Sequence, residues 1–213
     1  KNAFYLIIVL LIVSAACIKR NNLQETSIAK VRVPEIKITK TEKHTAAWEK
    51  IEAKININHN KSALNLLDSI LKIARENKNQ KQILKCHITK AGLIDNYKKN
   101  KYKDLIGGLS QDLKTATFPF KQILNSYIAE TYWNYYTQNR WRINRRSETI
   151  AIDHNDLLTW DLKSIIKKVH YHYKASLTSK DSLWAVPVTE IKDFIANKEI
   201  FYKQPKLYDF LSN

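Results

Sequence analysis

The chain has 213 residues but only three glycines and four prolines, against a usual share of about 7% and 5%. That scarcity constrains the fold more than any other feature. Tight β-hairpins draw on Gly, Asn and Pro for the backbone conformations their turns require, and a chain with so little of this punctuation is poorly equipped to build a many-stranded sheet. The expectation is an all-α fold. Periodicity agrees: from His44 onward apolar residues recur at intervals of three and four, with Trp48, Ile51 and Ile55 in one segment and Ala63, Leu66, Leu67, Ile70, Leu71 and Ala74 in the next.

These two amphipathic helices are joined by a short polar turn around Asn58 and Asn60. A third follows a break at residues 77–80 and carries Ile83, Leu84, Ile88, Ala91 and Ile94 on its face. A fourth runs from about Tyr102 to Lys114, and Gly107 with Gly108 is expected to bend it or end it early. Phe118-Pro119 marks the next boundary, after which residues 120–138 show a wide aromatic face that includes Ile123, Leu124, Tyr127, Ile128, Tyr132 and Tyr135. Residues 139–158 lose the period and predict a long connection. Thr159 is the expected N-cap of a helix over 160–177, a short helix is expected over about 188–196, and another starts after Pro205.

The paired helices over 48–91 resemble tetratricopeptide repeats, in which each hairpin covers the apolar stripe of its neighbour. No Trp-Leu-Gly signature and no second copy of the Trp48 pattern at a fixed offset is present. The prediction is therefore an array or bundle of antiparallel helical hairpins over residues 44–213, with Trp48, Leu67, Ile88, Ile128, Tyr132 and Ile166 in its core. The last apolar helix start breaks off at Asn213, which predicts a domain truncated at its C-terminal end.

Residues 3–13 form an unbroken apolar run behind Lys1 and Asn2, followed by Ser14, Ala15, Ala16 and Cys17. The run is shorter than the ~20 residues a bilayer-spanning helix needs, and small residues follow it directly. This predicts a lipoprotein signal peptide over 1–16, with Cys17 acylated as the first residue of the mature chain; Ser14 stands where such signals usually carry Leu. Residues 17–43 show no sustained period, contain Pro34 and read as a flexible tether. The expected location is the cell envelope, held to the membrane through Cys17. Ile18-Lys19-Arg20 lacks an acidic surface-export cluster, which points to the periplasmic side. Cys86 is then left without a disulfide partner, as a small buried hydrophobe.

A formal net charge of +16 invites a nucleic-acid reading. Most of the excess, however, is Lys spread evenly along the chain, and an exported protein meets little nucleic acid, so none is expected as a partner. The one local concentration is Arg140, Arg142, Arg145 and Arg146 around Trp141. Guanidiniums there can bind carboxylates or phosphates bidentately, and the expected role is either docking or ion pairing with Asp153, Asp156 and Asp161. These acids lie near His154, and carboxylates with imidazole can do acid–base work, but at a helix start they serve more simply as caps. His170 and His172 are two residues apart on a helix, about 200° round from each other, and so are expected to be solvated or half-buried and not to share a metal. The chain has no Gly-rich phosphate loop, no nucleophile elbow, no Cys-x-x-Cys and no His-Glu-x-x-His. No catalysis, cofactor, metal or small-molecule substrate is expected.

One ordered string is more specific: Tyr135, Tyr136, then Asn139-Arg140-Trp141-Arg142-Ile143 and Arg145-Arg146, then Thr159-Trp160-Asp161, and finally Pro205-Lys206-Leu207-Tyr208-Asp209-Phe210-Leu211. Together these resemble the N-terminal helical region of large alpha-2-macroglobulin-family lipoproteins from Bacteroidetes. There an Asn-Arg-Trp-Arg segment and an Arg-Thr precede Thr-Trp-Asp, and Pro-Thr-Leu-Tyr-Asp-Phe-Leu begins a later helix. Here Ser147 follows Arg146 in place of Thr, and Lys206 replaces the other Thr. The resemblance covers most of residues 48–211.

It implies a membrane-tethered protein that traps or inhibits proteases, of which this chain is the leading helical module. No β-sandwich series, bait region or Cys-x-Glu-Gln thioester occurs in these residues. The implied role of the module is non-catalytic, as a scaffold or an interaction surface. Tyr135, Tyr136, Asn139, Arg140, Trp141, Arg142, Arg145, Arg146, Trp160 and Asp161 form its candidate interaction or structural cluster, facing a protein partner or downstream domains of the same chain. The alternative is a free-standing helical-repeat binding lipoprotein that engages a protein or glycan in the envelope.

Overall fold

In the computed structural model, which describes residues 46–94, 101–145, 156–195 and 197–213, the scarcity of glycine is met by Asn and Lys. Helix α1 (Ala46–Asn56) ends on Asn58 at φ 57° and helix α2 (Asn60–Glu76) ends on Lys78 at φ 54°. In each case two amides turn back onto the helix: Asn58 N–H to the Ile55 carbonyl and His59 N–H to the Lys54 carbonyl, then Lys78 N–H to Arg75 and Asn79 N–H to Ala74. These are Schellman closures with a non-glycine residue in the left-handed position. Asn tolerates that conformation at low cost, and Lys does so less readily. Asn79 also starts the next helix, its side chain accepting from the Gln82 amide at 3.1 Å.

Helix α3 (Gln80–Leu93) follows, then α4 (Lys101–Leu113), α5 (Phe120–Asn144), a 3-10 turn at Leu157–Thr159 and α6 (Leu162–Ser176). Helix α7 (Lys180–Ala185), a 3-10 segment Val188–Phe194, α8 (Ile200–Lys203) and α9 (Leu207–Ser212) complete the described chain. Among the described residues there is no β-strand; the one extended pairing is an isolated antiparallel bridge of Pro187 with Lys206. The all-α expectation holds. Each of α1 to α6 packs against its sequence neighbour, and α5 with α6 form the most extensive pair.

Two hydrophobic clusters divide the interior. Trp48, Ile51, Leu67, Leu71, Ile83 and Cys86 form one between α1, α2 and α3. The other is built on α5 and α6, with Ile128, Tyr132, Tyr135, Trp160 and Ile165, and takes in Leu183, Val188, Leu207 and Leu211 from the C-terminal segments. Helix α3 serves both, with Ile83 in the first and Leu84 in the second. Of the expected core, Trp48, Leu67, Ile128 and Tyr132 are buried, whereas Ile88 and Ile166 are only half-buried. Ile165, one position earlier, is the residue that points inward.

Four local expectations are corrected. Helix α4 runs through Gly107 and Gly108 without a break. The second glycine has a packing reason, since a Cβ there would lie 3.1 Å from the His87 ring. Helix α5 does not stop at 138 but continues to Asn144. Burial of Ile143 at its far end anchors a segment whose polar composition alone gives no helical period. The N-cap of α6 is Asp161, whose side chain accepts from the Ser164 amide at 2.8 Å; Thr159 closes the 3-10 turn instead. Residues 188–194 wind as 3-10, and α7 was not anticipated because its six residues are too few to show a period. The expected signal, Cys17 and the tether lie outside the described residues.

Candidate functional site

In the cluster predicted around residues 135–161, Tyr135, Trp160 and Asp161 are buried, Tyr136 and Asn139 are half-buried, and Arg140, Trp141, Arg142 and Arg145 are exposed. Tyr135 is 3% exposed, and its hydroxyl donates to the Leu157 carbonyl at 2.8 Å. Arg142, two turns later on α5, reaches back so that Nη2 donates to the Tyr135 hydroxyl at 3.0 Å and to Asn139 Oδ1 at 3.1 Å. Asn139 Nδ2 in turn donates to the Tyr135 carbonyl at 2.8 Å. Trp160 is buried and stacks on Tyr132 with ring centres 5.7 Å apart, and Asp161 caps α6. Tyr136 is half-buried, its ring 5.3 Å from that of Trp133. These six residues act as packing and hydrogen-bonding parts of the α5–α6 hairpin.

The remaining described members, like Arg142, are exposed. Trp141 is 71% exposed, and the Arg145 guanidinium lies over its ring at 5.4 Å. Arg140 is exposed beside them. Arg146 and Asp153 lie outside the described residues. Among the described residues no ion pair joins Arg140, Arg142 or Arg145 to Asp156 or Asp161; Asp156 instead accepts from the Leu158 amide and Asp161 from Ser164.

His170 and His172 do face apart. His170 is exposed, while His172 is 8% exposed, more buried than expected, with Nδ1 2.9 Å from Asn125 Oδ1 and its ring near-parallel to Tyr132. Burial, aided by the nearby Lys168 charge, pushes the His172 imidazole down to about 4. It is neutral at physiological pH.

Sequence reasoning missed a polar centre that joins three helices. Asp112 on α4 is almost fully buried and receives Arg75 of α2 through two bonds, Nε at 2.7 Å and Nη2 at 2.9 Å, while His87 Nε2 of α3 approaches its Oδ2 at 2.6 Å. Burial alone would raise the Asp112 carboxyl, but the bonds from His87 and Arg75 outweigh it and hold the group below its ordinary value. Nothing in the spacing of these three residues announces the contact. Their shared chemistry is one almost fully buried carboxylate engaged by three ring and guanidine nitrogens from two other helices, so the centre holds helices together.

A groove of about 720 Å³ opens where the α2–α3 turn, the α4–α5 turn and the segment before the 3-10 helix meet. Lys78, Gln80, Phe118, Pro119, Val186 and Pro187 line it. Gln80 spans two of these elements, accepting from the Thr117 amide at 3.0 Å and donating to its hydroxyl at 2.7 Å. Among the described residues no group of His, Cys, Asp and Glu is arranged to hold a metal, and no helix is long and apolar enough to cross a membrane. No family model, no curated protein and no solved structure matches the chain.

Proposed function

We propose that this chain is the leading helical module of an exported, lipid-anchored alpha-2-macroglobulin-like protein, serving as a non-catalytic scaffold and docking element of a protease-trapping or protease-inhibiting whole. The observation that carries this reading is the meeting of the resembling strings. Tyr135 and Ile143 from the first, Trp160 from the second, and Leu207 and Leu211 from the third all belong to one hydrophobic cluster. Residues up to 76 positions apart in sequence thus act as one packing signature, which is what a module defined by those strings requires. The hairpins α1 to α4 are read as tetratricopeptide-like, and Cys17, behind its short apolar run, as the acylated first residue facing the periplasm.

The docking element is the outward half of the cluster, Arg140, Trp141 and Arg145. An exposed Trp flanked by guanidiniums is the composition that interface centres favour. The same surface, with the groove beside Phe118, also suits the second reading, a free-standing helical-repeat lipoprotein that binds a protein or glycan. Two measurements test the proposal. Mass spectrometry of the mature N-terminus should find a lipidated Cys17, and an unmodified terminus elsewhere sinks the anchor. Reading the gene downstream of Asn213 should find repeated β-sandwich sequence; a stop codon there would favour the free-standing reading.

A further inference from the structure

Helix α6 buries Ile165, Val169, His172 and Ser176, at spacings of four, three and four that form one stripe. The opposite stripe carries Lys163, Lys167, His170 and Lys174 at the same spacings, with Tyr171 on its flank, and all five are exposed. No Asp or Glu occurs anywhere in α6. Among the described residues no carboxylate pairs with Lys167, Lys168 or Lys174. Solvent-facing helices usually interleave opposite charges four residues apart, because like charges at that spacing repel. From Lys167 to Lys174, over two turns, the ridge forgoes this stabilisation and is built for an external anion.

We propose that the outer face of α6 is a docking surface for an anionic phospholipid bilayer. Lys163, Lys167, His170 and Lys174 follow one another about one helical turn apart along roughly 16 Å of helix, so a flat sheet of headgroups meets all of them at once. A folded acidic partner would need a matching concave groove to do the same. Tyr171, 64% exposed, presents a ring with a polar tip, the amphipathic form enriched at headgroup depth. Each Lys near an anionic leaflet strengthens association roughly fivefold, so three suffice for a salt-sensitive contact. The proposal takes its setting from the reading of the chain as membrane-tethered. It also orients the module: Asn125 and Tyr132 of α5 face α6, and Trp141, nine residues past Tyr132, lies about 180° round that helix. With α6 on the bilayer, Trp141 and Arg145 point away from it.

The test uses residues 17–213 carrying Cys17→Ser, which lack the apolar leader and cannot be acylated, in co-sedimentation with vesicles of phosphatidylcholine alone or mixed with phosphatidylglycerol. Binding is expected to the mixed vesicles only, and to fall as salt rises. The double variant Lys167→Glu/Lys174→Glu should weaken it at least tenfold. Lys61→Glu/Lys72→Glu on the exposed face of α2, with the same charge change, should weaken it less than threefold, with circular dichroism unchanged in both. Equal losses in the two doubles would reduce the effect to net charge and overturn the proposal. So would absence of binding to the mixed vesicles, or retention of soluble polyglutamate in place of vesicles. A native chain found unlipidated at Cys17 would defeat the tether but leave the vesicle result of the Ser variant standing.

Discussion

Arg75 and Asp112, 37 residues apart, form a two-bond ion pair across α2 and α4 at 2.7 and 2.9 Å. The second helix of the described chain is thereby joined to the fourth over the top of the third, whose His87 closes on the same carboxylate. Between them these three side chains hold the α1–α3 cluster against the α4–α6 cluster.

Asp112→Asn should destabilise the protein by about 2 to 4 kcal/mol, somewhat less than the ~3 to 5 kcal/mol for breaking a fully buried pair, because a third of the Arg75 side chain stays solvated. Urea unfolding of the two proteins measures it. The Asp112 carboxyl is held below its ordinary value in the fold, so the unfolded chain takes up its proton first as pH falls. Its contribution is complete above the unfolded value of about 3.9 and is lost as pH drops through the lower folded value. The difference in stability between wild type and Asp112→Asn should shrink over that acid range.

His172 gives a pH dependence in a different window. Its imidazole is pushed down to about 4 in the fold against about 6.5 in an unfolded chain. The unfolded state therefore binds the proton first, and stability is complete above about pH 6.5 and declines progressively toward pH 4. His172→Gln, which keeps a polar partner for Asn125, should flatten the melting temperature across that interval. An unchanged slope would place the titration elsewhere.

Leu67 and Ile128 are each 0% exposed, one in each hydrophobic cluster. Truncating either to Ala should cost about 2 to 5 kcal/mol, the lost transfer energy plus the cavity left behind. Because they serve different clusters, the double mutant should show additive losses within about 0.5 kcal/mol if the clusters are independent.

The two halves of the arginine-rich segment should respond in opposite ways. Tyr135→Phe removes the hydroxyl that bonds the Leu157 carbonyl and accepts from Arg142, and should cost about 1 to 2 kcal/mol. It should also speed proteolytic cutting between α5 and the Leu157 turn. Trp141→Ala, on a side chain 71% exposed, should change stability by less than about 0.5 kcal/mol. A large loss on Trp141→Ala would show that the ring packs against something in the native protein.

How much of this was readable in advance differs by element. The helices α1, α2, α3 and α6 were legible because each buries one stripe, and a stripe leaves a period in the sequence. Helix α5 was harder at its far end: residues 139–144 carry Asn, Arg and Trp without a period, and burial of Ile143 with the Asn139 and Arg142 side-chain bonds to Tyr135 holds them in place. Asp161 and Thr159 are both good caps by residue type. The choice fell to Asp161 because Trp160 must turn inward onto Tyr132 before the helix can start.

The sequence by itself settled fold class, through its poverty in glycine and proline and its three-four spacing, because those are properties of local backbone energetics. It also marked Tyr135 to Arg145 as a segment of unusual composition. It did not say that Tyr135 would turn inward and be bonded by an exposed Arg142 while Trp141 turns out, nor that Arg75, His87 and Asp112 would meet. Such contacts depend on how α2, α3, α4 and α5 sit against one another, and that arrangement is decided by the summed packing of two hydrophobic clusters. No single residue, and no spacing between residues, carries that sum.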